Sequence, residues 1–204
     1  MSIHHASLIV RDPATLLAQA RKQWGGERDL WVFGYASLIW RPAFDADEHR
    51  PATVHGFHRA LEMRSRVNRG TPERPGLVFA LVRGGSCRGV VYRLARDRAE
   101  AELESLWERE MPTGVYDARW LPCRTLLGTV HALAFTLDRR SPNYTGPLAN
   151  DEMVAILREA TGRYGRTLDY LLETARGLRD RGIRDREIER LVALAHAHQL
   201  IAPQ

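Results

Sequence analysis

The sequence predicts an α+β fold in which an antiparallel sheet or small β-barrel is followed by a helical C-terminal third. Short apolar runs bounded by glycine and proline fill the first two-thirds of the 204 residues. Amphipathic segments with helical periodicity fill the remainder, and the chain contains no internal repeat or low-complexity tract. Strands that cluster ahead of helices are typical of α+β proteins, and we expect one domain over residues 1–204.

The individual elements follow from the apolar runs and from the residues that start and stop them. Asp12 and Pro13 suit the start of a helix that ends at Gly25-Gly26, and Asp97 with Glu100 resembles the capping signal of another helix. In order, we predict a helix over 13–24, strands over 30–35, 52–64 (bent or divided at Gly56), 77–82 and 87–94, the last two joined by a hairpin turn at Gly84-Gly85-Ser86, a helix over 97–111, strands over 116–127 and 129–137, and helices over 148–161, 167–181 and 185–200. The loops are 41–51, 68–76 and 139–150.

Charge and composition narrow the classes of partner. The formal net charge is +5 and the densest basic cluster comprises Arg59, Arg64, Arg66 and Arg69, but elsewhere arginine alternates with acidic residues. Interspersed charge is typical of a solvated surface, so we expect no nucleic-acid partner.

The cellular setting is predicted from the cysteines and from the absence of long apolar runs. Only Cys87 and Cys123 are present, which is too few for a disulfide framework. The segment Met1–His5 lacks a signal-peptide pattern, and no run approaches the roughly 18 apolar residues of a membrane span. We therefore expect a cytoplasmic protein without a membrane partner.

The run from Trp31 to Trp40 is the first candidate for a functional segment. It begins as a strand, passes through small residues and ends in another apolar run. Gly34 allows positive φ and close approach of a ligand, and Ser37 adds a hydroxyl, so free N–H groups here could hold an anion. An ordinary strand-turn-strand with a buried aromatic pair explains the same residues.

Glu110 is the sharpest candidate for a catalytic group. On the predicted 97–111 helix it shares a stripe with Leu103, Leu106 and Trp107, whereas Glu100, Glu104 and Glu108 follow a flank. A carboxylate directed into apolar surroundings loses hydration, so its pKa rises and it can accept a proton near neutral pH. A frayed helix end before Pro112, or an ion pair with an arginine, is the alternative.

Other side chains offer less chemistry. The eight histidines form no grouping with carboxylates or thiols that suits a metal, and the two cysteines read as buried small hydrophobic residues. Ser37 has no evident histidine–acid partner, and the chain lacks the glycine-rich nucleotide loops. We predict no metal and no cofactor.

Five segments follow one another along the chain as a set of motifs. They are Val32-Phe33-Gly34-Tyr35-Ala36-Ser37-Leu38-Ile39-Trp40, Gly70-Thr71-Pro72-Glu73-Arg74-Pro75-Gly76, Cys87-Arg88-Gly89-Val90-Val91-Tyr92-Arg93-Leu94, Arg109-Glu110-Met111 and Ser141-Pro142-Asn143-Tyr144-Thr145-Gly146-Pro147. Together, and in this order, they resemble the motifs of the ChaC family of glutathione-specific γ-glutamylcyclotransferases. The resemblance covers about residue 30 to the end.

This resemblance implies a γ-glutamylcyclotransferase-like small mixed or antiparallel β-barrel with flanking helices. Residues 1–29 would be a helical extension, and residues 148–204 would be helices packed on the barrel. The implied reaction converts glutathione to 5-oxoproline and cysteinylglycine without metal or cofactor. Glu110 would be the acid/base, and the substrate would contact Val32, Phe33, Gly34, Tyr35, Ala36, Ser37 and Tyr144.

Three features of the chain depart from the family pattern. Ala36 replaces a glycine, the segment 112–116 is longer than the Gly-Gly-Tyr of some members, and residues 1–29 match no motif. Two alternative functions stay open. The first is the same cyclisation on other γ-glutamyl amines or dipeptides. The second is an inactive module that binds γ-glutamyl compounds or nucleic acid. The sequence does not define an oligomeric state.

Overall fold

The computed structural model describes residues 11–42 and 44–202. The expectation about a signal peptide at Met1–His5, the first ten residues of the predicted extension, and Ala43 lie outside the described residues. Within them, the chain forms six helices and seven strands: α1 (Pro13–Trp24), β1 (Leu30–Gly34), α2 (Ser37–Trp40), β2 (Glu48–Ser65), β3 (Gly76–Leu94), α3 (Arg96–Glu110), β4 (Asp117–Thr125), β5 (Gly128–Leu137), α4 (Asn150–Glu159), β6 (Thr161–Gly162), β7 (Gly165–Arg166), α5 (Thr167–Asp180) and α6 (Arg186–Ala197).

Five strands close into a barrel in the order β1-β3-β2-β4-β5. Neighbours in this order are antiparallel, and the barrel closes through parallel pairings of β5 with β1 at Val32↔Leu133 and with β3 at Leu81↔Thr136. The predicted α+β class with a small mixed β-barrel and a helical last third is therefore confirmed.

The buried apolar residues of the barrel and of the helices form a continuous core. Phe33, Phe79 and Phe135 from three strands are at most 1% exposed, and the same cluster extends to Ala20 of α1 and Leu191 of α6. The helices therefore pack against the barrel through apolar contacts, which are the dominant favourable term in folding.

The predicted hairpin turn at Gly84-Gly85-Ser86 is wrong, because β3 continues through it. Gly84 and Gly85 both have positive φ, and so does Gly56 opposite them on β2. The pairing passes from His55↔Ser86 to Phe57↔Arg83, so two residues of β3 face one residue of β2. Positive-φ glycines suit a β-bulge as well as a turn, and here they bend a long strand pair around the barrel.

The loop predicted over 41–51 ends earlier than expected, since β2 begins at Glu48. Pro51 pairs with Val90 of β3, while β4 joins β2 only from Thr53 onward. The other side of Pro51 is therefore a free strand edge, where a residue without an N–H group costs no ladder hydrogen bond.

Helix α3 begins at Arg96 without the predicted capping box. Its N-cap is Ala95, which makes no side-chain cap, and Asp97 lies in the first turn. Two carboxylates from the preceding half of the chain replace the cap: Asp47 accepts the Ala95 N–H at 2.7 Å and Asp29 accepts the Arg96 N–H at 3.0 Å. Tertiary contacts thus satisfy donors that a local motif was expected to satisfy.

The other predicted helices are present with ends within about three residues of the predicted ones, whereas the short α2 was not predicted. Helix α1 ends at Gly25, which is left-handed at φ 82° and donates to the Arg21 carbonyl. Helix α5 packs on the short α2, where a Cβ on Gly177 would lie 2.9 Å from the Trp40 Cβ. The Trp40 indole also donates to the Thr174 hydroxyl at 3.2 Å, so the C-terminal helices support the segment after β1.

Candidate active site

The segment after β1 turns into one turn of helix rather than a second strand. Tyr35 and Ala36 leave the barrel, and α2 follows from Ser37, with Ile39 donating to the Ala36 carbonyl at 2.9 Å. The strand-turn-strand interpretation is therefore wrong. We call residues 34–38 the β1–α2 loop.

Gly34 is needed in this loop for close approach and not for positive φ, which it does not adopt. A Cβ here would lie 3.0 Å from the Tyr92 ring and 3.2 Å from the Leu38 Cβ. At Ala36, φ is −142°. The alanine that replaces the family's glycine therefore meets no left-handed backbone requirement.

Three consecutive N–H groups of the loop lack a backbone acceptor. Within the described residues, the N–H groups of Ala36, Ser37 and Leu38 donate to no backbone carbonyl. Ala36 and Leu38 are each only 5% exposed. Buried donors of this kind are usually paired, so these are candidate partners for an anion. Val32 and Phe33 are 0% exposed, so their side chains support the loop from the core.

Glu110 lies at the last position of α3 and is mostly buried, with 16% of its side chain exposed. Leu103, Leu106 and Trp107 on the same stripe are at most 3% exposed, as the periodicity predicted. Burial raises the pKa of the Glu110 carboxyl, and the charge of Arg109 opposes the rise.

The inward Glu110 carboxylate also has an ion-pair partner, as one of the alternatives at the level of sequence expected. Arg109 Nε lies 3.1 Å from Glu110 Oε1. Arg109 also donates to the Arg41 carbonyl at 2.6 Å, just beyond α2. The guanidinium thus connects the carboxylate to the chain segment that follows the β1–α2 loop.

Three buried tyrosines lie near enough to Glu110 for its charge to act on their phenols. Tyr35, Tyr116 and Tyr170 are 7%, 8% and 5% exposed. Burial raises the pKa of each phenol, and the negative charge of Glu110 raises all three further. The structure therefore brings the predicted residues Tyr35 and Glu110 together, at the junction of the barrel, α3 and α5.

Nothing in the sequence indicated that three further residues lie near the candidate site: Tyr116, Tyr170 and Arg69. The Arg69 guanidinium lies 5.0 Å from the centre of the Tyr170 ring and donates to the Tyr164 carbonyl at 2.6 Å. Tyr170 belongs to the apolar face of α5, so its periodicity indicated only core packing. No local signal distinguishes these residues from structural ones.

Tyr144, predicted as a substrate contact, lies beside β2. It forms an isolated β-bridge with Met63, and the next residue, Thr145, donates to the Glu62 carbonyl at 2.9 Å. The charges acting on the Tyr144 hydroxyl are those of Glu62 and Arg139, and burial together with Glu62 raises its pKa. Tyr144 is thus held by β2 and by its own loop, where its N–H donates to the Ser141 carbonyl at 3.0 Å.

The histidine, acidic and cysteine side chains of the described residues are placed as follows. Among them, no group of three or more histidine, cysteine, aspartate or glutamate side chains could hold a metal ion. Cys87 and Cys123 are buried, as predicted, and burial raises the pKa of Cys123 to about 12.

Between residues 11 and 202, Ala43 excepted, no helix is long and apolar enough to cross a bilayer.

A surface groove of about 650 Å³ lies apart from this site, between α1 and β4. It is lined by Arg11, Asp117 and Trp120 among others, and neither Glu110 nor the β1–α2 loop borders it. The buried junction around Glu110, which is the candidate active site, is thus separate from this groove.

Known proteins are similar to this chain in sequence and in fold over most of its length. The family model described as ChaC-like protein matches residues 30–198. A glutathione-specific γ-glutamylcyclotransferase of Escherichia coli is 37% identical over 167 residues, which are 78% of this chain and 71% of that protein. Glutathione-specific γ-glutamylcyclotransferase 1 of Homo sapiens is 31% identical over 163 residues, covering 78% of this chain and 73% of its own length.

A solved structure shares the architecture. The crystal structure of a γ-glutamylcyclotransferase specific to glutathione from yeast superposes with a TM-score of 0.76 at 20% identity, over 84% of this chain and 97% of that one. The fold of the barrel and its helices is thus that of a known cyclotransferase structure. With a family model that spans most of the sequence, the chain belongs to the ChaC family.

Proposed function

We propose that this chain degrades glutathione by cyclising its γ-glutamyl group, which yields 5-oxoproline and cysteinylglycine. The observation that carries the proposal is the Glu110 carboxylate, which is mostly buried and near enough to Tyr35 of the β1–α2 loop for its charge to raise the pKa of that phenol. The relatives from E. coli and Homo sapiens, both glutathione-specific γ-glutamylcyclotransferases by name, support glutathione as the substrate.

The reaction suits a site with one carboxylate because nucleophile and electrophile belong to the same molecule. The α-amine of the γ-glutamyl residue attacks the side-chain amide carbon, a five-membered ring forms, and the bond to the cysteine nitrogen breaks. Holding the curled substrate conformation supplies much of the rate enhancement, as in other intramolecular reactions. The protein then needs chiefly to fix that conformation and to move protons.

Glu110 is the proposed proton carrier. The substrate amine arrives as an ammonium group, so a base must remove a proton before attack, and the departing cysteine nitrogen needs a proton to leave. A carboxylate whose pKa is raised by burial is suited to both transfers, first accepting and then donating. The attacking nitrogen gives its second proton to water as the ring amide forms, and the released amine takes up a proton from water, so no net proton is gained or lost.

The β1–α2 loop is the proposed cradle for the substrate. Its three N–H groups, at Ala36, Ser37 and Leu38, are available to the α-carboxylate of the γ-glutamyl group. In this proposal Val32 and Phe33 shape the loop from the core. Glutathione carries net negative charge, and the protein's net charge of +5 favours its approach.

The proposal is tested by incubating the purified protein with glutathione and quantifying 5-oxoproline and cysteinylglycine by chromatography. Equimolar release of both products is expected. A parallel competition with γ-glutamyl-alanine tests the alternative substrate class, since preference for the dipeptide would assign the chain to other γ-glutamyl compounds. Absence of any product, with glutathione binding retained, would favour the inactive binding module.

A further inference from the structure

A buried arginine outside the predicted site donates a hydrogen bond to the backbone of the β1–α2 loop. Arg59 lies on β2 with 1% of its side chain exposed. Its Nε donates to the Tyr35 carbonyl, its Nη2 donates to the Arg88 carbonyl at 2.5 Å, and its Nη1 pairs with the Asp185 carboxylate. All three nitrogens of this guanidinium therefore have a partner.

The partner carboxylate is itself fixed by a helix terminus. Asp185 is the N-cap of α6, where its Oδ1 accepts the N–H groups of Glu187 and Ile188, both at 3.1 Å. Its other oxygen, Oδ2, accepts a hydrogen bond from Arg59 Nη1. One carboxylate thus joins the last helix to the guanidinium. Buried charges persist when they are paired and fully hydrogen-bonded, which is the case here.

The hydrogen bond from Arg59 to the Tyr35 carbonyl also determines the orientation of the neighbouring N–H group. The Tyr35 carbonyl and the Ala36 N–H belong to one peptide unit, and the described residues contain no cis peptide bond. In a planar trans peptide the C=O and the N–H point in opposite directions. Because Arg59 fixes the carbonyl, it also fixes the direction of the Ala36 N–H, and a charged donor on the carbonyl polarises that N–H further.

We propose that Arg59, held in place by Asp185, is a positioning residue that directs the Ala36 N–H toward the substrate α-carboxylate. Arg59 does not touch the substrate in this scheme. The inference rests on the proposed function, because the carboxylate is that of the γ-glutamyl group. It assigns a role in substrate binding to α6, the last helix of the chain.

Kinetics separate positioning from mere structural support. Arg59→Lys keeps the charge but loses the simultaneous contacts, so KM for glutathione should rise roughly tenfold or more as one hydrogen bond to a charged group is lost. The kcat value should stay within about twofold, since the carboxylate is bound equally in the ground and transition states. Asp185→Asn keeps an oxygen that can cap the helix but loses the ion pair, and should raise KM by a smaller factor.

Asp12→Asn is the matched control. Asp12 caps α1 through the N–H groups of Ala14 and Thr15, as Asp185 caps α6, but it contacts no arginine of the loop network. Its substitution should leave KM unchanged. An unchanged KM in a folded Arg59→Lys protein, a loss confined to kcat, or an equal rise in Asp12→Asn would overturn the proposal. If Arg59→Lys does not fold, Asp185→Asn decides by the same criterion.

The amide resonance of Ala36 provides a measurement that does not need turnover. In a ¹H–¹⁵N spectrum of the ligand-free protein, Arg59→Lys should shift the Ala36 signal, while Asp12→Asn should not. An unmoved Ala36 signal would refute the link between guanidinium and amide. A wild-type protein that releases no 5-oxoproline would refute the proposed function, and the amide shift would still decide whether Arg59 controls this N–H.

Discussion

Substituting Glu110 by glutamine tests the chemistry of the site with little change of shape. The side chain is 16% exposed and accepts from Arg109, whose Nε lies 3.1 Å from Oε1. A glutamine amide oxygen can accept the same hydrogen bond, but it cannot take up the proton of the substrate ammonium. General acid–base catalysis contributes about 10²- to 10⁴-fold, so kcat should fall by that factor, or about 3–5 kcal/mol in activation free energy.

The same substitution has a predictable effect on stability. Burial raises the pKa of Glu110 in the folded protein above the ordinary 4.5. The stabilisation from a carboxyl with a raised folded pKa is present below its unfolded pKa and is lost as pH rises through its folded pKa. The wild-type protein therefore bears a desolvation penalty at pH 7 that the glutamine variant lacks. Urea unfolding should find Glu110→Gln at least as stable as wild type at pH 7, with a smaller difference at pH 4.

Initial rates of 5-oxoproline release at saturating glutathione are the assay, and Glu108→Gln is the control. Glu108 lies on the same helix but on its exposed face, so its substitution should leave kcat unchanged. A folded Glu110→Gln protein that retains more than a tenth of wild-type kcat would refute the role of Glu110 as proton carrier. Equal losses in both variants would point to a disturbed helix instead.

Four further outcomes are expected. The kcat/KM of wild type should rise with pH through a midpoint above 4.5, because Glu110 must be ionised to accept a proton and burial raises its pKa; a midpoint at or below 4.5 would contradict this. Ala36→Gly should change kcat/KM by less than about twofold, since φ at this residue is negative, and a large gain would show that glycine is required. Gly56→Ala should lower the free energy of unfolding by about 1–2 kcal/mol in urea titrations, because its φ of +82° is unfavourable for alanine. Tyr144→Phe should raise KM for glutathione if its hydroxyl contacts the substrate; unchanged kinetics would remove it from the proposed site.

The parts of the fold that the sequence predicted are those with a local cause. Helix α1 has its cap at Asp12 and its stop at Gly25, so both boundaries could be placed from chemistry within a few residues. The stripe that carries Glu110 is a property of one helix, and its burial followed from periodicity alone. The resemblance to a known family supplied the barrel, which strand patterns left open as either sheet or barrel.

The parts that could not be predicted depend on contacts between distant segments. Gly84 and Gly85 suit a turn equally well, and only the pairing of the residues on either side of them with β2, around Gly56, makes their segment a bulge. The cap of α3 comes from Asp29 and Asp47, which no motif near Arg96 announces.

The candidate site likewise depends on contacts between segments that are distant in the sequence. Tyr170 and Arg59 reach it from α5 and β2, and their sequence neighbours give no sign of it. Residues whose function depends on such convergence look like ordinary core residues in the sequence.

Cleavage of glutathione in H₂¹⁸O tests the central claim most directly, because cyclisation and hydrolysis use different nucleophiles. In cyclisation the substrate's own amine attacks, so the ring oxygen of 5-oxoproline derives from the γ-glutamyl carbonyl. Mass spectrometry should therefore find 5-oxoproline without ¹⁸O, in a one-to-one ratio with cysteinylglycine, for the wild-type protein. Glutamate carrying ¹⁸O in its side-chain carboxyl would identify water as the nucleophile and contradict the account.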